Sequence, residues 1–370
     1  MSSIFFIFIY FFILDIKGYF ITFDLKVILK RKENNKLEEK LEQLLSDYAT
    51  VEDKEEKAKI CLDICRITRD MGQFEKSRKY GEEALELATE ASFKVKALLA
   101  IGIGYGKQGR YDNAEGYFLK ALEIAQTEEN TSDLAYIYQN LSFVESGRLN
   151  MKKYFECLTK AAHYSELNED FAQLANIYVS IGSYYLYSEN YNMAVDYYKK
   201  SLKIAKTAKQ KASIQYGIAD VYFRMKNYDG AFDRAERALK VFIKEKDVTD
   251  MTSSYVLLGF ICLGKGDHIA ALEYANKALD VSEKNEIIGH YLYTLMLKAA
   301  ICMETNDMDK ANDSFDRFLE LANEETADEE TMMDFYGSYA TYHEKLGNVA
   351  ESEIYKAKQQ ALQEKYKETE

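Results

Sequence analysis

The stretch that decides the fold is GIGYGKQGRYDNAEGYFLKAL, residues 102–122. It places a small residue and an aromatic before a Gly-Arg turn, and then an aromatic, Ala, a second aromatic and Ala-Leu at fixed offsets. The same order returns, with substitutions, over residues 182–202 and 219–239. Self-similarity at a period of about 20–50 residues indicates stacked supersecondary units. The chain is therefore predicted to be a repeat array rather than two or three separate globular domains.

The residue types favour two helices in each unit. The 370 residues include no proline and only 18 glycines, so few positions interrupt a helix. Apolar residues make up 47% of the chain, which is enough for a continuous core. A small residue where two helices cross lets the backbones approach, and a larger side chain there costs about 1–3 kcal/mol. The aromatic after the turn, such as Tyr111 or Tyr191, is expected to fill the space under the loop.

This pattern resembles the tetratricopeptide repeat, whose two antiparallel helices carry small, aromatic, Gly-x-aromatic, Ala, aromatic and Ala residues in that order. The resemblance implies an all-α, right-handed superhelical solenoid of stacked antiparallel helix hairpins. Taking the turn residue of each unit as its marker gives eight units, at Gly72, Gly109, Leu149, Glu189, Lys226, Gly266, Asn306 and Gly347. The intervals are 37, 40, 40, 37, 40, 40 and 41 residues, against about 34 in the usual repeat. The third unit is degenerate, and no unit carries the family's Trp or its closing Pro.

Four segments are predicted along the chain. They are an apolar extension over residues 1–32, an amphipathic capping helix over 33–56, the array of about eight repeats over 57–366, and a polar tail over 367–370. The capping helix is inferred from apolar residues at helical spacing, namely Leu37, Leu41, Leu44, Leu45 and Tyr48.

The extension contains an unbroken apolar run of eleven residues, Ile4 to Leu14. A membrane span needs about 20 residues, and lengthening the run to Phe23 takes in Asp15 and Lys17. Three interpretations stay open: a spurious or disordered extension, a membrane anchor, and a packed cap. As an anchor, its following basic residues would hold the repeats on the cytoplasmic side.

Charge and cysteine content limit the partners and the compartment. The formal net charge of −13 argues against nucleic acid, because phosphate binding needs clustered Lys and Arg. The five cysteines are scattered and form no CxxC pair, which favours a reducing, cytoplasmic location.

No catalytic, metal or cofactor site is predicted. Residues 102–107 briefly resemble a phosphate loop, but Gln108 stands where that motif needs a hydroxyl. The four histidines lie in different units. The acidic stretch over residues 324–330 is better explained as a helix start, with Thr326 and Glu329 at capping-box spacing.

The resemblance implies that the first helices of the units line a concave binding surface. Carrying over the family's groove positions gives eight candidate peptide-binding residues: Tyr136, Gln139, Asn140, Asn176, Tyr187, Tyr216, Asp220 and Arg224. Further candidates at the same offsets are Leu99, Ile103, Phe143, Val179, Ser183, Phe223, Val256, Phe260, Tyr293 and Met296. Tyr supplies contact area at low entropic cost, and Asn or Gln pairs with the backbone of an extended peptide. The alternative is that the apolar members only pack against neighbouring helices.

One subtype of the family is disfavoured. Its chaperone-binding members clamp a terminal carboxylate with Lys, Asn and Arg. At the corresponding positions this chain has Leu62, Arg66, Ala100, Tyr136 and Asn140, so only one position fits.

The leading functional hypothesis is a non-catalytic scaffold that binds a protein or an extended peptide, without nucleic acid or a small-molecule cofactor. The alternative is a peptide-responsive signalling regulator similar to the Rap-type bacterial proteins. Residues 1–55 are short for the output domains of those relatives. A membrane-attached assembly factor is a third hypothesis, and the oligomeric state stays open.

Overall fold

The computed structural model describes residues 37–323, 327 and 329–367, and within them every regular element is an α-helix. Helix α1 covers residues 37–50. Sixteen helices follow: α2 Lys54–Asp70, α3 Phe74–Leu87, α4 Ala91–Gly106, α5 Tyr111–Thr127, α6 Thr131–Gly147, α7 Met151–Leu167, α8 Phe171–Tyr187, α9 Tyr191–Ile204, α10 Ala208–Arg224, α11 Tyr228–Glu245, α12 Val248–Gly264, α13 His268–Lys284, α14 Ile288–Glu304, α15 Met308–Leu321, α16 Glu329–Lys345 and α17 Val349–Lys367. The predicted extension over residues 1–32 and Thr326 of the proposed capping box lie outside the described residues. No described helix combines the length and apolar character needed to cross a bilayer.

Seven pairs of consecutive helices pack as hairpins, namely α2/α3, α4/α5 and the five pairs from α8/α9 to α16/α17. Each of these hairpins, and the connection from α6 to α7, contains one of the predicted turn residues. All eight of these residues have positive φ, between 56° and 78°. A residue in this left-handed conformation ends a helix and lets the chain reverse. After α4, for example, the Gly109 N–H donates to Gly106 O (3.0 Å) and the Arg110 N–H donates to Tyr105 O (3.1 Å). The all-α hairpin repeat predicted from the sequence is thus confirmed.

The chain divides into two compact parts, Met1–Gly147 and Arg148–Glu370. They are named unit 1 and unit 2, and each contains several of the repeats. Unit 1 contains α1–α6 and unit 2 contains α7–α17. Within each unit the first helices of successive pairs contact one another: α2, α4 and α6 in unit 1, and α8, α10, α12, α14 and α16 in unit 2. In stacked hairpins the helices of the inner layer approach one another most closely, so these helices form the inner layer of each unit.

Small residues lie where the predicted repeat places them, beneath the rings of the second helices. Gly102 packs against Phe118, whose side chain is fully buried. An ideal Cβ on Gly182 would lie 2.9 Å from the ring of Tyr198. A larger residue at either position would push the two helices apart.

Helix α1 covers the start of unit 1. Leu41 is buried with Ile64 and Ile67 of α2, and the other apolar residues of its stripe pack against the same cluster. The amphipathic pattern of this helix is therefore satisfied by contact with the first pair.

Three second helices are shorter than the others. Helices α3, α9 and α15 have 14 residues each, whereas the remaining second helices have 17 to 19. Each short helix is followed by an alanine in extended backbone, at Ala88, Ala205 and Ala322. These alanines are spaced 117 residues apart along the sequence.

Candidate functional site

The first helices of each unit present one surface, which is named here the first-helix face. In unit 1 this face is formed by α2, α4 and α6, and in unit 2 by α8, α10, α12, α14 and α16. The eight candidate residues predicted from the sequence all lie on these helices. The two faces are described separately.

The first-helix face of unit 1 contains a cavity of about 660 Å³, named here the unit 1 cavity. Helices α2, α4 and α6 all contribute side chains to it. Its lining residues are Leu62, Asp63, Arg66, Arg69, Ser92, Lys96, Leu99, Ala100, Ile103, Asn130, Ser132, Asp133 and Tyr136. A volume of about 300–1,000 Å³ is typical of sites for small ligands.

Three residues predicted for the groove line this cavity: Leu99, Ile103 and Tyr136. Tyr136 is 44% exposed, which leaves much of its ring available for contact. Asn140 lies one turn further along α6, and its Nδ2 donates to Tyr136 O (2.8 Å). Gln139 is half-buried beside it, so neither amide lines the cavity itself.

Charged side chains of both signs surround the cavity. The Arg66 guanidinium lies 2.7 Å from the Asp63 carboxylate. Asn130 Nδ2 donates to Asp133 Oδ2 (2.7 Å). Burial raises the pKa of Asp133, and the nearby charge of Lys96 opposes that rise. Lys96 and Arg69 also line the cavity, and their long side chains reach it from positions outside the family's groove offsets, so the sequence pattern does not indicate them.

The first-helix face of unit 2 carries hydrogen bonds and ion pairs between successive first helices. Between α12 and α14, Ser253 Oγ lies 2.6 Å from His290 Nε2. Between α10 and α12, Ser213 Oγ donates to Asp250 Oδ2 (3.5 Å). At the start of α12, the Lys209 ammonium lies 2.6 Å from the Asp247 carboxylate. These contacts connect neighbouring repeats rather than residues of one helix.

A second set of contacts involves the candidates predicted from the sequence. Arg224 Nε lies 3.3 Å from Asp220 Oδ1, and the Arg224 guanidinium lies 5.8 Å from the centre of the Tyr187 ring. Burial raises the pKa of Asp220, and Arg224 opposes that rise. Burial, together with Asp220 and Asp250, raises the pKa of Tyr216. The structure thus brings Tyr187, Tyr216, Asp220 and Arg224 together.

Asn176 is exposed on α8, and its Oδ1 accepts a hydrogen bond from Gln210 Nε2 (3.1 Å). The contacts of this face are named together the unit 2 network: Asn176–Gln210, Lys209–Asp247, Ser213–Asp250, Asp220–Arg224 and Ser253–His290. Most of its members were missed from the sequence. Their spacing could have indicated these contacts, because Ser213 and Asp250, like Ser253 and His290, are 37 residues apart, which is close to one repeat.

Three further groove predictions require correction. Val256 and Met296 are 8% and 3% exposed and belong to the core, so they do not line the surface. Ser183 Oγ lies 2.9 Å from the Tyr198 hydroxyl, so it contacts the second helix of its own pair. Helices α12 and α14 are apolar on most sides, and a fixed family offset does not separate their buried faces from their exposed ones.

Within residues 37–323, 327 and 329–367, no group of His, Cys, Asp and Glu is arranged to hold a metal ion.

Comparison with protein families identifies the repeats. A family model described as Tetratricopeptide repeat matches residues 59–126 and 210–284, and a second model with the same description matches residues 175–207. No curated protein matches the chain significantly in sequence.

Solved structures with the same fold cover nearly all of the chain. The apo form of the quorum sensor NprR from B. thuringiensis is similar with a TM-score of 0.66 at 16% identity, over 94% of this chain and 99% of that one. A Rap protein complexed with competence and sporulation factor gives a TM-score of 0.65 at 12% identity, over 91% and 95% of the two chains. NprR in complex with its cognate peptide NprX gives 0.59 at 17% identity, over 95% and 98%. At these identities the similarity is one of fold.

Proposed function

We propose that this chain, in which tetratricopeptide repeats match three stretches, is a non-catalytic scaffold. Its first-helix faces would bind an extended peptide or a segment of a partner protein. The cytoplasmic location inferred from the cysteine content forms part of this proposal.

The observation that carries the proposal is the exposure of tyrosine on these faces. Tyr136 in unit 1 is 44% exposed and Tyr187 in unit 2 is 54% exposed. Large side chains left in solvent on a concave surface are typical of interaction sites. Asn176, also exposed on α8, accepts from Gln210 through its Oδ1 and offers its amide N–H groups to the carbonyl groups of a peptide backbone.

A more specific form of this function is a regulator that responds to a short peptide. It is favoured by the extent of the structural similarity, which covers 91–95% of this chain in structures solved with competence and sporulation factor or with a cognate peptide bound. In this form, peptide binding would shift the array between two arrangements of its hairpins.

The test is affinity purification with a matched pair of double variants. Tyr136→Ala with Tyr187→Ala removes ring surface from both first-helix faces. Leu119→Ala with Ile243→Ala removes side chains of similar exposure, 49% and 47%, from second helices. We expect partners to be lost only from the tyrosine variant. Identical partner sets for both variants and the wild type would overturn the assignment of the faces.

The regulator form is tested by small-angle X-ray scattering with peptides recovered from the purified complexes. A change in the radius of gyration on saturation with peptide is expected. Unchanged dimensions would leave a scaffold without a conformational response.

A further inference from the structure

We propose that a cavity in unit 2 binds an uncharged small molecule built on one aromatic ring, which stacks on Tyr274. This cavity, named here the ring cavity, has a volume of about 220 Å³. Its lining residues are Phe232, Cys262, Lys265, Asp267, Ala270, Glu273, Tyr274 and Lys277. Cys262 lies nine residues after Ser253 on α12, which is two and a half turns, so the ring cavity is on the side of α12 opposite the first-helix face. The proposal therefore goes beyond the scaffold function.

In three hairpins a flat ring on the first helix stacks on a ring of the second helix. The two positions lie four residues before and eight residues after the turn residue. The stacked pairs are Tyr105–Tyr117, Tyr185–Tyr197 and His343–Tyr355, with ring centres 5.6, 5.5 and 5.7 Å apart. Stacking of this kind is favourable beyond the burial of apolar surface, so the position before the turn is an environment for a ring.

The α12/α13 hairpin has the second ring but not the first. Tyr274 lies eight residues after the turn residue Gly266, whereas the residue four before it is Cys262. Ala270 also lines the cavity, at the position where the α8/α9 hairpin has Met193. These two smaller side chains leave open, beside Tyr274, the space that a ring fills in the other hairpins.

The neighbouring ring of Tyr255 does not replace the missing one. Its centre lies 6.3 Å from that of Tyr274, in a tilted arrangement. The α8/α9 hairpin has the corresponding contact, between Tyr178 and Tyr197 at 5.8 Å, in addition to its stacked ring. The contact with Tyr255 is therefore compatible with a further ring on Tyr274.

Lys277 also leaves room for that ring. Its ammonium lies 5.1 Å from the centre of the Tyr274 ring. In the α8/α9 hairpin, the Lys200 ammonium lies 4.3 Å from the centre of the Tyr197 ring, which is stacked on Tyr185 at the same time. A lysine and a second ring can thus contact one tyrosine together.

The size and the apolar walls of the ring cavity suit a single ring. A cavity of about 150 Å³ lined by apolar side chains binds benzene, so 220 Å³ has room for one ring with a short substituent. Phe232 lies edge-to-face with Tyr274, with ring centres 6.4 Å apart, and forms a second aromatic wall. Burial raises the pKa of Cys262, so its thiol stays neutral, and contacts between sulfur and an aromatic ring are favourable.

The charged side chains of the ring cavity favour a neutral molecule. The charged lining residues are two cations and two carboxylates, namely Lys265, Lys277, Asp267 and Glu273, so their charges cancel. Lys, Asp and Glu are depleted at the centre of protein interfaces, which favours a free molecule over the side chain of a partner. A phenol meets these requirements, because it is neutral at pH 7 and its hydroxyl can pair with a charged side chain.

The experiment titrates the full chain with p-cresol and observes the ligand by NMR. This compound is the side-chain analogue of Tyr185, which fills the corresponding space in the α8/α9 hairpin. The control is 4-methylcyclohexanol, which is similar in size but has no flat ring. We expect saturable binding of p-cresol, about three- to tenfold tighter than that of the control, because ring stacking contributes about that factor beyond area burial.

A third compound, N-acetyltyrosinamide, carries the same ring on a peptide backbone. It should bind more weakly than p-cresol, because its backbone must lie against the charged side chains of the cavity. Binding as tight as that of p-cresol would assign the cavity to an aromatic side chain of a partner and overturn its assignment to a free molecule.

Three variants connect the binding to the named residues. Tyr274→Leu removes the stacking ring and should weaken p-cresol binding about fivefold. Tyr197→Leu makes the same change at the corresponding position of α9, and as the matched control it should leave the affinity for p-cresol unchanged. Cys262→Tyr supplies the missing ring from the protein itself and should abolish binding.

The absence of saturable p-cresol binding, or equal affinity for p-cresol and 4-methylcyclohexanol, would overturn the proposal. Unchanged affinity in Tyr274→Leu, or an equal loss in Tyr197→Leu, would do the same. Tyr274 and Tyr197 are only half-buried, so the comparison of their two variants tests the proposal even where Cys262→Tyr does not fold.

Discussion

The charged side chains of the two first-helix faces are paired to different extents. In unit 2, Arg224 lies 3.3 Å from Asp220, and Lys209 lies 2.6 Å from Asp247. In unit 1, Arg69 has a buried Nε without a hydrogen-bond partner among the described residues, next to a cavity of about 660 Å³. A paired charge contributes to the stability of the fold, whereas a buried donor without a partner costs free energy.

The largest effect is expected for Arg224→Met, which leaves Asp220 without its cation. The free energy of unfolding should fall by about 1–2 kcal/mol, between the values for exposed and buried ion pairs. Urea unfolding measures the change. The control is Arg237→Met, which breaks an exposed pair with Asp233 and should have a much smaller effect. Equal losses in the two variants would show that the Asp220–Arg224 pair is not special to this face.

The corresponding change in unit 1 should have the opposite sign. Arg69→Met removes a poorly paired, buried charge and keeps an apolar stem, so the free energy of unfolding should rise by about 1 kcal/mol. The same urea titration applies, with Lys96→Gln as a variant that alters the cavity without touching a buried charge. A decrease as large as that of Arg224→Met would mean that Arg69 is satisfied within the protein.

The turns offer a smaller test of the two units. In unit 1 the left-handed turn residue of the second pair is Gly109, whereas in unit 2 the turn before α9 uses Glu189 at φ 56°. Glu189→Gly should stabilise unit 2 by about 0.5–1 kcal/mol, and Gly109→Ala should destabilise unit 1 by a similar amount. No atom lies within 4 Å of a Cβ built on Gly109, so only backbone strain contributes there. Thermal melts of both variants that leave the midpoint unchanged would contradict this account.

The smallest effect concerns pH and the unit 2 network. Burial lowers the pKa of His290 below its usual 6.5, and Asp250 partly opposes that shift. The unfolded chain therefore takes up the proton first as pH falls, so the contribution of neutral His290 is complete above pH 6.5 and is lost below it. His290→Asn should flatten the fall in unfolding free energy between about pH 7 and pH 5, where histidine titrates. Above pH 7 the unfolding free energies of the variant and the wild type should change with pH in parallel. Identical slopes of unfolding free energy against pH over the whole range would refute the role of His290.

The pairing of helices could be predicted because it depends on local chemistry. A turn residue must end one helix and reverse the chain, and all eight predicted positions have positive φ. The packing role of small residues such as Gly102 and Gly182 could be predicted, because a larger side chain at these positions would collide with a ring of the second helix. These features are set by neighbours within one repeat, and the repeat is visible in the sequence.

The functional faces were only partly predictable because they depend on contacts between repeats. Tyr136 and Tyr187 were found, since exposed aromatics stand out at fixed offsets. Met296 was misassigned because α14 is apolar on most sides, and the sequence does not show which side meets the next pair. Arg69 was missed because its importance lies in a missing partner, which only the three-dimensional packing reveals.

The three short second helices determine how the chain can be cut and rejoined. Ala88 and Ala205 each end a 14-residue helix in extended backbone, and in both places the next helix begins after two intervening residues. Excision of residues 89–205 would therefore join α3 to α10 through a linker of native length. Single hairpins are not equivalent in this respect, because most second helices are longer and end in a different backbone conformation. The segment that can be removed without a change in linker length therefore contains six helices, α4 to α9.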